Sequence, residues 1–322
     1  MRPTGPLLLM TGLQGLAGGV FVSLALVRTG LGADALPGRA WAALSLVGLL
    51  LVAGGGVASI FHMHRLAGAR FVLRRLGSSW LSREVLTTGA LGVLAAALGL
   101  LALVIRAGAP WYEAGIVLTA LAALVALFVT AMIYATIPAM LSWHTPLTVV
   151  NMMGAGLVGG AILVGAGWDW SGPHAVSATH GLEGVIRAAL IVWGILKLLQ
   201  FRVFQEARAR VRGETGFGLP RGPHRLRDSG TTRPPYRTQP QVWPPLGHRR
   251  RLSWQAGMLA AVLAALVVVG VDQLWAGVAG AALAFIMVFA ERWLFFADAT
   301  HSSLVWFPAP ADDAPGRRVR RG

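Results

Sequence analysis

Between Phe61 and Glu84 the sequence reads FHMHRLAGARFVLRRLGSSWLSRE. It places two histidines, five arginines and a glutamate between stretches that are almost purely apolar. His62 closes one apolar run and Glu84 opens the next, so both can reach the same depth in a membrane. An imidazole and a carboxylate at an apolar boundary are a matched pair of proton acceptors. A hydroquinone that loses two electrons must also lose a proton from each ring oxygen, beside an apolar slot for its ring and tail. His62 and Glu84 suit that chemistry. Each also has a plainer role: Glu84 complements the positive end of a helix or pairs with Arg83, and His62 caps a span at the headgroups. His64 completes a His-x-His spacing, which holds a metal only with further ligands, and no third ligand is in view. Gln14, inside LQGLAGG, is a third polar group. A buried amide in lipid needs a partner, either on a neighbouring helix or in this same site.

The residues between the two acceptors have their own pattern. Leu66, Ala69, Leu73 and Leu76 recur at helical spacing, with Arg70 and Arg74 on another face and Arg75 beside them. That spacing predicts a short amphipathic helix in the interface, its arginines on lipid phosphates. Gly77 ends it, and Ser82 is the expected cap of the following span.

The elements that must position these groups are membrane helices. The chain has 322 residues, 55% hydrophobic and 13% charged, with mean hydropathy +0.63. A water-soluble domain carries about 25% charged residues. A bilayer core takes about 20 apolar residues as a helix, and eight runs qualify: Pro6–Val27, Trp41–Ile60, Glu84–Ile105, Ala114–Ile137, Pro146–Ala166, Leu182–Phe201, Trp254–Val271 and Leu274–Phe296. The expected fold is therefore all-α, a single membrane domain over 1–322 made of eight transmembrane helices. The first run has only Arg2 before it and outlasts a signal peptide's apolar core, so it is expected to be a retained helix. GLAGGV, GAGLVGG and GVAGAALA space small residues three or four apart, a helix-packing signal. Trp41, Trp80, Trp168, Trp170, Trp254, Trp275 and Trp293 lie near run ends, as an interfacial belt would place them.

The net charge of +15 sits in the gaps, which points to anionic lipids and topology rather than nucleic acid. Segment 202–253 is basic and rich in Pro, Gly, Ser and Thr, and reads as a disordered loop; 308–322 is a basic tail. With eight spans these gaps and both termini share one side, which arginine counting makes the cytoplasmic side of the inner membrane. Several chemistries are excluded. Without cysteine the chain holds no disulfide, thiolate zinc, c-type haem or cysteine-bound iron–sulfur cluster. All eight histidines lie in gaps or at run ends, against a bis-histidine haem, and GxSxG, HExxH and Walker motifs are missing. Arg187 and Lys197 are taken as the only strongly basic residues inside runs, and neither shows an acidic partner at its depth, which speaks against the midplane charge pairs of a transporter.

Four stretches resemble the dimethyl sulfoxide reductase membrane anchor subunit (DmsC-like) family. They are LQGLAGGVFVSLAL, FHMHRLAGARFVLRRLGSSWLSREVLTTG, MIYATIPAMLSWHTPLTVVNMMGAGLVGG and ERWLFFADATHSSLVWF. The resemblance implies an anchor, without metal of its own, for two partners. One carries [4Fe-4S] clusters and the other a molybdopterin cofactor. It also implies that the anchor oxidises menaquinol and passes electrons to the iron–sulfur subunit. By motif position the family's quinol-binding histidine and glutamate fall on His62 and Glu84. Gly68 stands where the family's arginine is expected, leaving Arg65 or Arg70 to substitute. Two other readings stand beside this one: a passive anchor without a quinol site, and a small-solute transporter.

Overall fold

The computed structural model describes residues 3–32, 35–62, 69–104, 110–169, 176–210, 246–271 and 273–301. Their secondary structure is helical. The elements are α1 (Gly5–Leu31), α2 (Gly38–His62), the short α3 (Ala69–Val72), α4 (Trp80–Val104), α5 (Pro110–Ala135), α6 (Pro146–Asp169), α7 (Val176–Arg210), α8 (His248–Val268) and α9 (Leu274–Ala297). Seven of them, α1, α2, α4, α5, α6, α8 and α9, are long and apolar enough to cross a membrane. The expected count was eight. The eighth long helix, α7, differs because Glu183, Arg187, Lys197, Arg202, Glu206, Arg208 and Arg210 punctuate its 35 residues.

Helix ends also move outward from the apolar runs. α7 begins at Val176 rather than Leu182 and continues to Arg210, and α8 begins at His248 rather than Trp254. Helix therefore occupies both ends of the segment expected to be a loop over 202–253; residues 211–245 and the tail at 308–322 lie outside the described residues. A helix can extend past the bilayer because Arg and Gln propagate it as well as most apolar residues do. Of the expected amphipathic helix, the described part is α3 and a 3-10 turn over Leu73–Arg75. There Phe71 is exposed and the Arg74 guanidinium lies over its ring at 4.8 Å.

α1 is the axis of the bundle. In its apolar window 78% of residues are buried, against 61% for the next span, α6. It packs on α2, α5, α6 and α9; α4 closes against α2 and α5, α7 against α6, and α8 against α9. A helix apolar all round is enclosed by others, and its glycines let it be enclosed tightly. A Cβ on Gly19 would lie 2.0 Å from the Gly156 carbonyl oxygen, and one on Gly160 would lie 2.2 Å from the Gly19 carbonyl carbon. The small-residue spacing thus marks a backbone-to-backbone crossing of α1 and α6. Gly160→Val drives a side chain into that backbone and is expected to cost about 3 kcal/mol or more. The check is detergent size exclusion with tryptophan detection. Recovery of a wild-type monodisperse peak would show that the crossing tolerates separation.

The tryptophans divide. Trp275 is exposed, and Trp254 stacks on Trp293 with centroids 4.1 Å apart. Trp41 leaves the belt: it is buried, under the guanidinium of Arg28, which itself faces Glu113 at 3.6 Å. A run-end position does not say which way a ring turns.

Candidate functional site

Glu84 lies one helical turn deeper than its place in the sequence suggests. α4 starts at Trp80, and Ser79 stands just ahead of it, its Oγ accepting from the Ser82 N–H at 3.4 Å. Ser79, not Ser82, therefore has the capping position, because a cap serves the N–H three residues ahead. Arg83 turns back: Nε donates to the Leu76 carbonyl at 2.8 Å and Nη2 to that of Gly77 at 2.7 Å, with the guanidinium 4.4 Å over Trp80. Its charge clamps the turn that delivers α4 and does not pair with Glu84. Glu84 is 7% exposed, and its Oε1 accepts a hydrogen bond from Thr130 Oγ1 of α5 at 2.8 Å. Among the described residues no basic side chain forms an ion pair with it. A buried carboxylate held by one neutral donor is costly to keep ionised, and an ionisable group inside a membrane helix marks function more often than packing.

Thr130 also lines a narrow cleft between α1, α4, α5, α6 and α9, whose free space of about 20 Å³ is room for a single oxygen-sized group rather than a ring. Gln14, Thr88 and Arg292 share its wall. Gln14 is 9% exposed, and its Oε1 has no hydrogen-bond partner among the described residues. The helix–helix hydrogen bond open to Gln14 from sequence is thus not made by this oxygen. Gly15 and Gly55 open the space around it. A Cβ on Gly55 would meet Gln14 Cγ at 2.8 Å, and one on Gly15 would lie 3.5 Å from Arg292 Nη2.

Arg292 belongs to a buried ionic chain. Its Nη2 donates to the Met152 carbonyl at 2.8 Å and its Nη1 to Glu291 Oε2 at 2.5 Å. Glu291 Oε1 accepts from Lys197 Nζ at 2.7 Å, and Lys197 donates also to Gln200 Oε1 at 2.5 Å. Lys197, Glu291 and Arg292 are each at most 2% exposed. This corrects two expectations, that Lys197 lacks an acidic partner and that Arg187 and Lys197 are the only basic residues inside runs: Arg292 is a buried cation in the last span. Arg187 has an acidic partner too, Glu183 at 3.8 Å on its own helix, and it donates to the Val269 carbonyl. Sequence reasoning missed the chain because Lys197 and Glu291 are 94 residues apart. The available signal was the adjacent Glu-Arg pair inside an apolar run.

The two C-terminal-side stretches of the resemblance meet next to this layer. Tyr134, Trp143, Phe295 and Phe296 form an aromatic cluster with centroids 5.0 to 6.0 Å apart, and Trp143 Nε1 donates to the Phe295 carbonyl at 3.0 Å. Below the cluster the Leu141 N–H donates to the Thr300 carbonyl, and Asp298 accepts from Arg208 of α7 and Arg251 of α8. Asp298 thereby ties the end of α7 to the start of α8.

Of the sequence-predicted residues, the structure brings Gln14 and Glu84 to one cleft, Glu84 through Thr130. His62 is the last residue of α2, about 10 Å along the helix from Gly55, and its side chain lies outside the described residues. So does that of Arg70 in α3; His64 and Arg65 lie outside them altogether. The assembled layer can do proton chemistry in an apolar surround: a carboxylate behind a hydroxyl, an amide oxygen to spare, and a fixed cation.

The chain is similar to known proteins along most of its length. Over 333 aligned positions, 97% of this chain and 100% of the relative, it is 28% identical to a sulfite dehydrogenase subunit of Allochromatium vinosum. The sequence model of one family, the DMSO reductase anchor subunit (DmsC), matches residues 2–210, which hold α1 to α7 and so Gln14, His62, Glu84, Thr130 and Lys197. A match over that share of its length means that this chain belongs to the DMSO reductase anchor subunit (DmsC) family.

Proposed function

We propose that the chain is the membrane anchor subunit of a molybdopterin oxidoreductase of the dimethyl sulfoxide reductase type, and that it oxidises menaquinol at the cleft beside Glu84. The observation that carries this reading is Glu84 itself, a buried carboxylate without an ion pair among the described residues, one hydroxyl away from a polar cleft. Protons pass to this chain, and electrons pass to an iron–sulfur partner and on to a molybdopterin subunit. His62 is the second proton acceptor, and Gln14 with Arg65 or Arg70 completes the site. In this reading α7 also crosses the inner membrane, giving eight spans with the basic gaps and both termini in the cytoplasm.

The likeness to a sulfite dehydrogenase subunit favours a second reading of direction. A dehydrogenase oxidises its substrate, so electrons would reach the anchor from its partner and reduce a quinone, with the same residues delivering protons. Purification of the tagged chain from its own membranes in mild detergent tests the assembly. Iron and molybdenum at stoichiometric levels in the eluate are expected, since a chain without cysteine binds no iron cluster itself. A metal-free eluate without partners would overturn the anchor reading.

A further inference from the structure

Glu84 does not itself line the cleft; Thr130 does, and its hydroxyl points at the carboxylate. We infer that Thr130 is the proton relay between a quinol ring oxygen held in the cleft and Glu84, and that Arg292 is the cation that steadies the oxygen while the proton is away. This rests on the proposed quinol-handling role. The geometry supplies each part. Gln14 Oε1, buried and without a partner among the described residues, is an acceptor for a ring hydroxyl that enters the cleft. Arg292 lines the same cleft and is held by the Met152 carbonyl and Glu291, with Nε to spare.

The step balances without an outside reagent. The quinol O–H bond breaks and its proton joins Thr130 Oγ1. The proton Thr130 already donates moves to Glu84 Oε1. The quinol becomes a monoanion, Thr130 is restored, and Glu84 becomes a neutral acid. No electron moves in this step; the electrons leave afterwards to the iron–sulfur partner. Among the described residues the layer holds two cations, Lys197 and Arg292, and two carboxylates, Glu291 and Glu84. The negative charge that leaves Glu84 reappears on the ring oxygen beside Arg292, so the layer's net charge does not change. A charge displaced within a preset polar frame costs little reorganisation. Reduction of a quinone runs the same step backwards.

The test uses the assembled complex and menadiol as the probe, following reduction of the partner's iron–sulfur clusters by anaerobic stopped flow. Thr130→Val keeps shape and removes the hydroxyl; it is expected to slow cluster reduction about a hundredfold, while Thr130→Ser restores most of the rate. In the wild type, two protons in flight predict a curved dependence of rate on the deuterium content of the solvent. A straight or flat dependence would overturn the relay even if Thr130→Val fails to assemble. Wild-type rates in Thr130→Val with a slow Glu84→Gln would also overturn it and leave the quinol site standing. Wild-type rates in both variants would overturn the quinol site as well.

Discussion

Glu84→Gln is expected to assemble normally and to slow quinol-linked electron transfer by at least about a hundredfold, the range of a lost general base. The amide keeps the volume of the carboxylate and still accepts from Thr130 Oγ1, which in the native protein lies 2.8 Å from Oε1. It removes the charge and the capacity to take a proton. Burial sharpens the contrast: at 7% exposure water has little access to the site to replace the lost acceptor. No ion pair among the described residues is broken by the change, so a stability loss has no evident source. The measurement pairs iron and molybdenum content of the purified complex with its rate of reduction by menadiol. Full metal content with a collapsed rate places proton transfer on Glu84. Full metal content with a native rate would return the chain to a passive anchor.

That residue also shows what sequence can and cannot deliver. Composition and run length sufficed for an all-helical membrane chain, because the bilayer leaves so few ways to satisfy a buried backbone. The glycine spacing of GLAGGV and GAGLVGG marked packing faces without saying which would meet; the structure joins them at the α1–α6 crossing, where a Cβ on Gly19 would lie 2.0 Å from the Gly156 carbonyl oxygen. Glu84 stood out as a charge beside an apolar run. Its depth did not, because apolar content marks the run and not the helix, and Trp80 to Arg83 already belong to α4. Thr130 was invisible for a different reason. A threonine inside a membrane helix ordinarily bonds its own preceding turn, as Thr119 does to the Gly115 carbonyl at 2.7 Å. Only the packing of α5 on α4 turns Thr130 toward a carboxylate 46 residues away. Arg292 and Glu291 were legible as charges in the last span but not as parts of the site, since their contacts run to Met152 and Lys197 on other helices. Local spacing predicts faces; a site assembled from five helices is set by which faces meet.

The ionic chain carries the largest expected effect on stability. Glu291→Leu leaves Lys197 and Arg292 together in the core without their shared carboxylate. Removing one partner of a buried pair costs about 3–5 kcal/mol because the remaining charge is stranded. Here two cations are stranded, both at most 2% exposed. Glu291→Leu is therefore expected to yield little folded protein, with a lowered unfolding midpoint in whatever survives purification. Lys197→Met alone should be milder. It leaves Glu291 paired with Arg292 at 2.5 Å and frees Gln200 Oε1 and Glu291 Oε1. The double variant Glu291→Leu with Lys197→Met is the informative case. Its core keeps the single surplus positive charge of the native chain, on Arg292, which retains the Met152 carbonyl. It should recover part of what Glu291→Leu loses, giving an interaction energy of about 1–3 kcal/mol across the double-mutant cycle. Thermal unfolding of the four proteins in one detergent reads that energy directly. Additive losses would mean that Lys197 and Glu291 are neighbours without being coupled. A Glu291→Leu protein that melts like the wild type would mean that the buried charges are solvated in some other way, and that Arg292 owes its position in the cleft to something other than Glu291.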